Sequence, residues 1–430
     1  MRVLWITNQC IPVVAKHLNL EIGNKEGWLA GISERFLAEK VQDITLGICF
    51  PMPAEKADLK AEFEVTAYGY EDDRVRPEEY RENLEKRFGE IFEDFKPDVI
   101  HIFGTEYGHT LAAAKACKNP SKLLIGIQGL CGVYANHFTE GLPEKVIEAA
   151  TLRDKLKNDN IKRQQEKYVI RGKYEEEALR ITKNVTGRTD WDFEHTHRIQ
   201  EGVNYYFMNE TLRSNFYTGE WSFENCEPHS IFLSQGDYPI KGLHLLLDAM
   251  PEIVKKYPDT QVYVAGNKIT GEESLKKKVL ISSYGKYLKE QMKQYGVEEK
   301  IHFLGSLNAE QMKERFLKSN LFLSPSTIEN SPNSVGEAML LGLPVVSTDV
   351  GGVHNMLENG KEGILYPTTD TEKLADAICT VFAMNGKQEQ KAMCSAAKEH
   401  AKKTHNADTN YARLLEIYKT ITGGADSDAE

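Results

Sequence analysis

Two glutamates eight residues apart, Glu329 and Glu337, stand in the stretch SPSTIENSPNSVGEAMLLGLPVVSTDVGG, between short apolar runs at residues 321–323 and 345–346. An ionised carboxylate only accepts hydrogen bonds. Glu337 therefore suits a vicinal diol such as a ribose, and Glu329 a sugar hydroxyl. Asn333, Ser334 and Val335 open the helix pattern between the two runs. The unsatisfied N–H groups of a helix start, with the helix dipole, bind a phosphate oxygen. Lys241, between Pro239 and Gly242 in the loop QGDYPIKG, adds a point charge for the same diphosphate. Each residue also has a plain structural reading, since a first-turn glutamate suits the dipole and a loop lysine is usually solvated. Their combination is what points to chemistry.

Strand, polar loop and helix in that order put the loop at the carboxyl end of a parallel strand. Open α/β sheets form their ligand crevice there. The rest of the second half fits the same pattern, with strands expected at residues 231–234, 261–265, 301–304 and 363–366 and helical stretches between and after them. The first half reads likewise, with strands at 3–6, 44–49, 63–68, 98–103, 123–127 and 181–187. A long loop from Asn8 to Gly27 follows the first strand, and Gly27 opens a helix where backbone can approach a ligand. His101, His109 and Gln128 lie at or just beyond strand ends, and Arg188 follows the last of those strands. They are candidates on the side where ligands bind, although a lone histidine at a strand end is more often structural.

At 430 residues the chain exceeds one ordinary core, and two domains are expected. A net charge of −11 excludes a dedicated nucleic-acid binder. The seven cysteines form no C-x-x-C pair and read as buried thiols in a reducing compartment. The N-terminus offers four consecutive apolar residues before Thr7, a first strand and not a signal peptide. With no membrane-spanning run, the expected location is cytoplasmic. Between Arg153 and Lys173 eight Lys or Arg stand against three Asp or Glu. That run is either a solvated helical face or a contact with anionic membrane or a lipid-linked acceptor. No His, Asp or Cys cluster has metal-ligand spacing, so neither metal nor other cofactor is expected.

The Glu-x7-Glu stretch is similar to that of the retaining glycosyltransferases of family 4, which have the GT-B fold. YPIKGLHLLLDA, HFLGSL and the pair Gly351 and Gly352 extend the similarity through the second half, and GWLAGI, PDVIHIFGTE and TGRTDWD into the first. The resemblance implies two Rossmann-like doubly wound domains facing across a cleft. Their expected limits are 1–225 for the acceptor side and 226–402 for the donor side, with a helix at 403–422 returning to the first domain and a disordered tail at 423–430. The resemblance makes His101, His109, Gln128 and Arg188 candidates on the acceptor side. It implies that Glu337 binds the ribose, Lys241 the diphosphate and Glu329 the transferred sugar. The segment 333–335 would close on phosphate and sugar, and Gly27 would approach the diphosphate from the first domain. The family's usual Arg at the start of the YPIKG loop is replaced by Gln235, Gly236 and Asp237, and its usual His after the 123–127 strand by Gln128. Arg188 or a helix N-terminus is the candidate replacement for the lost cation.

The expected activity is retaining, metal-independent transfer of a sugar from a nucleotide sugar, UDP-linked for preference, to a saccharide or lipid-linked saccharide in bacterial capsule, exopolysaccharide or lipopolysaccharide synthesis, at the inner face of the plasma membrane. Lys241 and Glu329 would carry the catalysis. Two other readings are a sugar phosphorylase or nucleotide-sugar epimerase, and a non-catalytic nucleotide-sugar-binding subunit.

Overall fold

The computed structural model describes residues 1–20, 27–39, 43–270 and 281–423. It divides into two compact units, each with its own sheet. The first unit holds residues 1–135, 167–212 and the described chain from His405 on; the second holds 136–166 and 213–404.

The first sheet contains β1 (Arg2–Thr7), β2 (Thr45–Met52), β3 (Lys60–Glu62), β4 (Thr66–Glu71), β5 (Val99–Phe103), β6 (Leu123–Gly126), β7 (Asn184–Gly187) and β8 (Asn204–Phe207). Its order is β3-β4-β2-β1-β5-β6-β7-β8, parallel throughout except β3 on β4. Strands covered on both faces read as apolar runs, and alternate residues serve opposite faces. Leu4 and Ile6 of β1 join Ile100, Ile102, Leu123 and Ile125 in one core layer, under the helices Glu82–Phe95 and Gly108–Ala116. Val3 and Trp5 join Val99, Phe103 and Leu124 in the other. There the helix Ala407–Gly423 buries Leu414, Ile417 and Tyr418, and Trp5 Nε1 donates to Tyr418 Oη at 2.9 Å.

The second sheet contains β9 (Ser230–Leu233), β10 (Gln261–Ala265), β11 (Ile301–Gly305), β12 (Leu321–Ser324), β13 (Val345–Thr348) and β14 (Ile364–Tyr366). All its pairs are parallel and the order is β11-β10-β9-β12-β13-β14. Counted from β9 this is 3-2-1-4-5-6, the doubly wound order of dinucleotide-binding sheets. The direction of winding reverses between β9 and β12, which pair through Leu321 with Ile231 and Phe322 with Phe232. Doubly wound sheets bind their ligands at such a switch point, outside the carboxyl ends of the two strands.

Several boundaries differ from the expected ones. Residues 136–166 join the second unit, not a first domain running to 225. Asp154 is buried there and accepts from Ser283 N at 2.8 Å, while Thr151 Oγ1 donates to Ile281 O at 2.7 Å. The crossing into the second unit falls at 212/213. Phe216 is buried edge-on to Phe316, and Trp221 Nε1 donates to Ser319 O at 2.7 Å. The loop expected from Asn8 contains the helix Pro12–His17, with proline at its first position as helix starts favour. The strand expected at 63–68 begins only at Thr66, because residues 63–65 form the bend between β3 and β4, and that at 181–187 begins only at Asn184, because Ile181 closes the helix Ile161–Ile181. The edge strand β8 arose from an aromatic run with no readable period. The tail from 424 on lies outside the described residues.

The basic run is largely paired locally. Arg153 meets Asp154 and Asp159, Lys162 meets Glu148, Arg163 meets Glu166 and Lys167 meets Glu78. Arg171 lies over the Tyr107 and Tyr168 rings. Among the described residues, no helix is long and apolar enough to cross a membrane.

Candidate functional site

The loop after β9 ends in the 3-10 turn Pro239–Lys241, closed by Gly242 at φ +67°. A β-carbon on Gly242 would lie 1.8 Å from Pro325 O, so only glycine lets this loop approach the one after β12. Lys241 Nζ reaches Glu329 Oε1 at 2.5 Å, and Ser326 Oγ donates to the same oxygen at 2.7 Å. Burial alone would lower the Lys241 pKa. The Glu329 carboxylate outweighs it, with Tyr238 beside, and holds the ammonium charged far above the usual lysine range. The pair is mutually neutralised.

Glu329 is held from behind by the glycine pair. Gly352 N donates to Glu329 O at 3.1 Å, and Gly351 adopts φ +54° with its missing β-carbon 1.9 Å from that carbonyl. Gly351→Ala is expected to destabilise the protein by about 2–4 kcal/mol, from the left-handed backbone and overpacking together. Urea unfolding would measure it; an unchanged midpoint would contradict the packing described.

The helix Asn333–Leu341 starts after Pro332, which gives no side-chain cap, and has no acidic residue in its first turn. Val335 N donates to Pro332 O at 3.0 Å and is thereby taken, contrary to the expectation that it faces phosphate. Asn333 and Ser334 retain the first-turn N–H groups that no helix satisfies internally. Asn333 Oδ1 is buried without a partner. Glu337 is buried on the same helix, and both its oxygens are engaged: Arg213 Nε donates to Oε1 and Nη2 to Oε2, each at 2.6 Å. Burial pushes the Glu337 pKa up, against the pull of Arg213. Sequence reading missed Arg213, which lies in the aromatic-rich run.

The first-unit candidates do not form one group. His101, Gln128 and Arg188 line a single cavity of about 30 Å³ at the ends of β5, β6 and β7, with Glu210. That volume suits one or two waters, not a sugar. Arg188 Nη1 lies 2.5 Å from Glu210 Oε2, and Gln128 Nε2 donates to Glu210 Oε1 at 2.6 Å. Tyr418 Oη, already accepting from Trp5, lies within hydrogen-bond distance of His101 Nδ1, at 2.8 Å. His101 is thus a neutral core residue, stacked on Phe103. His109 is elsewhere, its Nδ1 3.1 Å from the Asp73 carboxylate and its side chain buried. Gly27 begins the helix Gly27–Ala38. The winding of the first sheet reverses between β1 and β5. Glu106, which sequence reading also missed, follows β5 there, its pKa raised by burial.

Burial pushes the His101 pKa down to about 3 and the His244 pKa down to about 4, the latter offset in part by the bond from Nε2 to Glu140 O at 2.9 Å. Both stay neutral when folded, whereas an unfolded histidine takes a proton below about pH 6.5. The unfolded chain then binds more protons. Stability present above that pH is lost as pH falls toward 4, by up to ~1.4 kcal/mol per pH unit for each histidine. Urea unfolding at pH 7, 6 and 5 should show the fall, with a shallower slope in His244→Gln; equal slopes would contradict it.

Among the described residues, no cluster of three or more His, Cys, Asp or Glu is placed to hold a metal. Residues 222–401 match the family model of the group 1 glycosyl transferases. The matched segment contains Lys241, Glu329, Asn333 and Glu337, whereas Arg213 precedes it. The phosphatidyl-myo-inositol mannosyltransferase of Mycobacterium leprae is 27% identical over 192 residues, 44% of this chain and 46% of that protein. The D-inositol 3-phosphate glycosyltransferase of Corynebacterium urealyticum is 26% identical over 185 residues, 42% and 41% of the two chains. The match thus spans less than half the length of these relatives. Anabaena HepE in complex with UDP-glucose aligns over 98% of this chain and 100% of its own, with a TM-score of 0.65 at 16% identity. The sucrose-phosphate synthase of Thermosynechococcus elongatus aligns over 99% and 100%, with a TM-score of 0.64 at 14% identity. The matched segment therefore lies in one half of a two-domain, GT-B-like doubly wound fold.

Proposed function

We propose that the chain is a retaining glycosyltransferase that moves a sugar from a nucleoside-diphosphate sugar, UDP-linked for preference, to an acceptor hydroxyl. The observation that carries this reading is the set of groups around the second unit's switch point. Lys241 arrives from the β9 loop, Glu329 from the β12 loop, and the uncapped helix start at Asn333 bears Glu337 one turn on. The cation and the free N–H groups correspond to the diphosphate, and the carboxylates of Glu329 and Glu337 to the sugar and the ribose. The names of the relatives support sugar transfer, and the HepE complex supports a UDP-sugar donor.

Breaking the glycosidic bond leaves positive charge on the sugar ring and gathers negative charge on the departing diphosphate. Lys241 and the N–H groups of Asn333 and Ser334 stabilise that charge where it develops. Glu329 holds a sugar hydroxyl and Glu337 the ribose, fixing the bond for departure. The departing phosphate itself takes the acceptor's proton, so no separate protein base is required. The acceptor is a saccharide or lipid-linked saccharide of bacterial surface polysaccharide synthesis.

The test is incubation with UDP-sugars and a mixture of lipid-linked and free saccharide acceptors, read by proton NMR of the anomeric signal. Transfer with the donor's anomeric configuration is the expected result. Inversion would overturn retention. Phosphate-dependent sugar release or acceptor-free conversion of the donor would show a phosphorylase or epimerase instead. Donor binding with neither transfer nor hydrolysis would show a binding subunit.

A further inference from the structure

The group that holds Glu337 is itself rigidly built. Arg213 lies over the Phe216 ring at 4.6 Å, and that ring is fully buried. Asn215 Nδ2 donates to Ala309 O at 2.9 Å, and Trp221 N to Leu341 O at 2.8 Å. The segment that follows Arg213 is thus fastened to the helices Ala309–Lys318 and Asn333–Leu341. The two 2.6 Å bonds from Nε and Nη2 form the planar fork that matches a carboxylate edge.

We infer that Arg213 is a positioning residue for ribose recognition, whose fork fixes the plane of the Glu337 carboxylate so that both ribose hydroxyls find an acceptor. This rests on the nucleotide-sugar reading above. Two donors occupy two of about four lone-pair sites on a carboxylate, which leaves capacity on each oxygen for the 2′ and 3′ hydroxyls. Glu337 is only 5% exposed in its side chain. Among the described residues, Arg213 is the charged side chain that acts on it. Without the guanidinium, burial favours the protonated acid, which is free to rotate and donates where it should accept. A lysine keeps a charge but cannot reproduce the fork.

The test is calorimetric titration of UDP, GDP and ADP, followed by the 2′-deoxy form of whichever binds most tightly. Wild-type protein should prefer the ribonucleotide by about tenfold or more, with little change from pH 6 to 8. In Arg213→Lys and Arg213→Gln the preference should fall below about threefold. Affinity in Arg213→Gln should also weaken as pH falls through that range, which a purely structural loss would not produce. Thermal unfolding verifies that the variants fold, and Arg213→Lys alone suffices if the glutamine variant does not. Variants that keep the wild-type preference and pH profile would overturn the inference while leaving the nucleotide site standing. Failure of the wild-type protein to bind any of the three nucleotides would overturn the nucleotide-sugar reading itself.

Discussion

Lys241→Ala should lower kcat/KM for the nucleotide sugar by about 10²–10³, the effect of removing one preorganised group from a site where the proposed reaction develops negative charge. Initial rates at subsaturating donor give the value. The loss should fall mainly on kcat, because charge on the diphosphate grows as the sugar departs. Lys241→Arg keeps the charge and should recover part of the rate. The truncation also leaves Glu329, 10% exposed in its side chain, with only Ser326 Oγ on Oε1. Removing one partner of a buried pair costs about 3–5 kcal/mol. With Lys241 20% exposed, solvent screening reduces that to about 2–3 kcal/mol. A Lys241→Ala protein within threefold of wild-type kcat/KM would remove Lys241 from the leaving-group role.

Glu337→Ala should weaken nucleotide-sugar binding at least tenfold, about 1.4 kcal/mol or more. The ribose loses its acceptor and Arg213 loses both of its carboxylate bonds. The effect should fall on KM more than on kcat, since the ribose lies away from the breaking bond and is held equally before and during departure. Glu337→Gln keeps the shape and one acceptor oxygen and should lie between the two. Donor affinity within about twofold of wild type in Glu337→Ala would contradict the assignment.

The proposed donor site was legible in sequence because its chemistry is local. Glu329, Asn333 and Glu337 share one strand–loop–helix unit, and Lys241 stands beside Gly242, whose positive φ the loop needs. What brings Lys241 to Glu329 is the pairing of β9 with β12, 88 residues apart in chain terms at the ion pair, which the repeated strand pattern only implied. Arg213 was not legible. It lies 124 residues from Glu337, in a run whose aromatic residues follow neither helical nor strand period. Glu210 escaped for the same reason, meeting Gln128 across 82 residues. His101 and His109 looked alike in sequence, as histidines near the β5 strand end. One faces Tyr418 of the returning helix and the other Asp73, and neither partner is near it in the chain. Residues 136–166 were read with the first half because they follow it. Their placement turns on the buried Asp154 and its bond to Ser283, a contact no periodicity announces.

The most direct test of the nucleotide-sugar site is a thermal-shift panel of UDP-, GDP- and ADP-sugars on wild-type protein, with Glu337→Ala measured in parallel. A ligand at 100 times its Kd stabilises the folded state by about 2.7 kcal/mol. One nucleotide series should raise the wild-type Tm by several degrees and leave Glu337→Ala nearly unmoved at the same concentration. No shift with any nucleotide sugar, or an equal shift in the variant, would contradict a donor site built on Glu337.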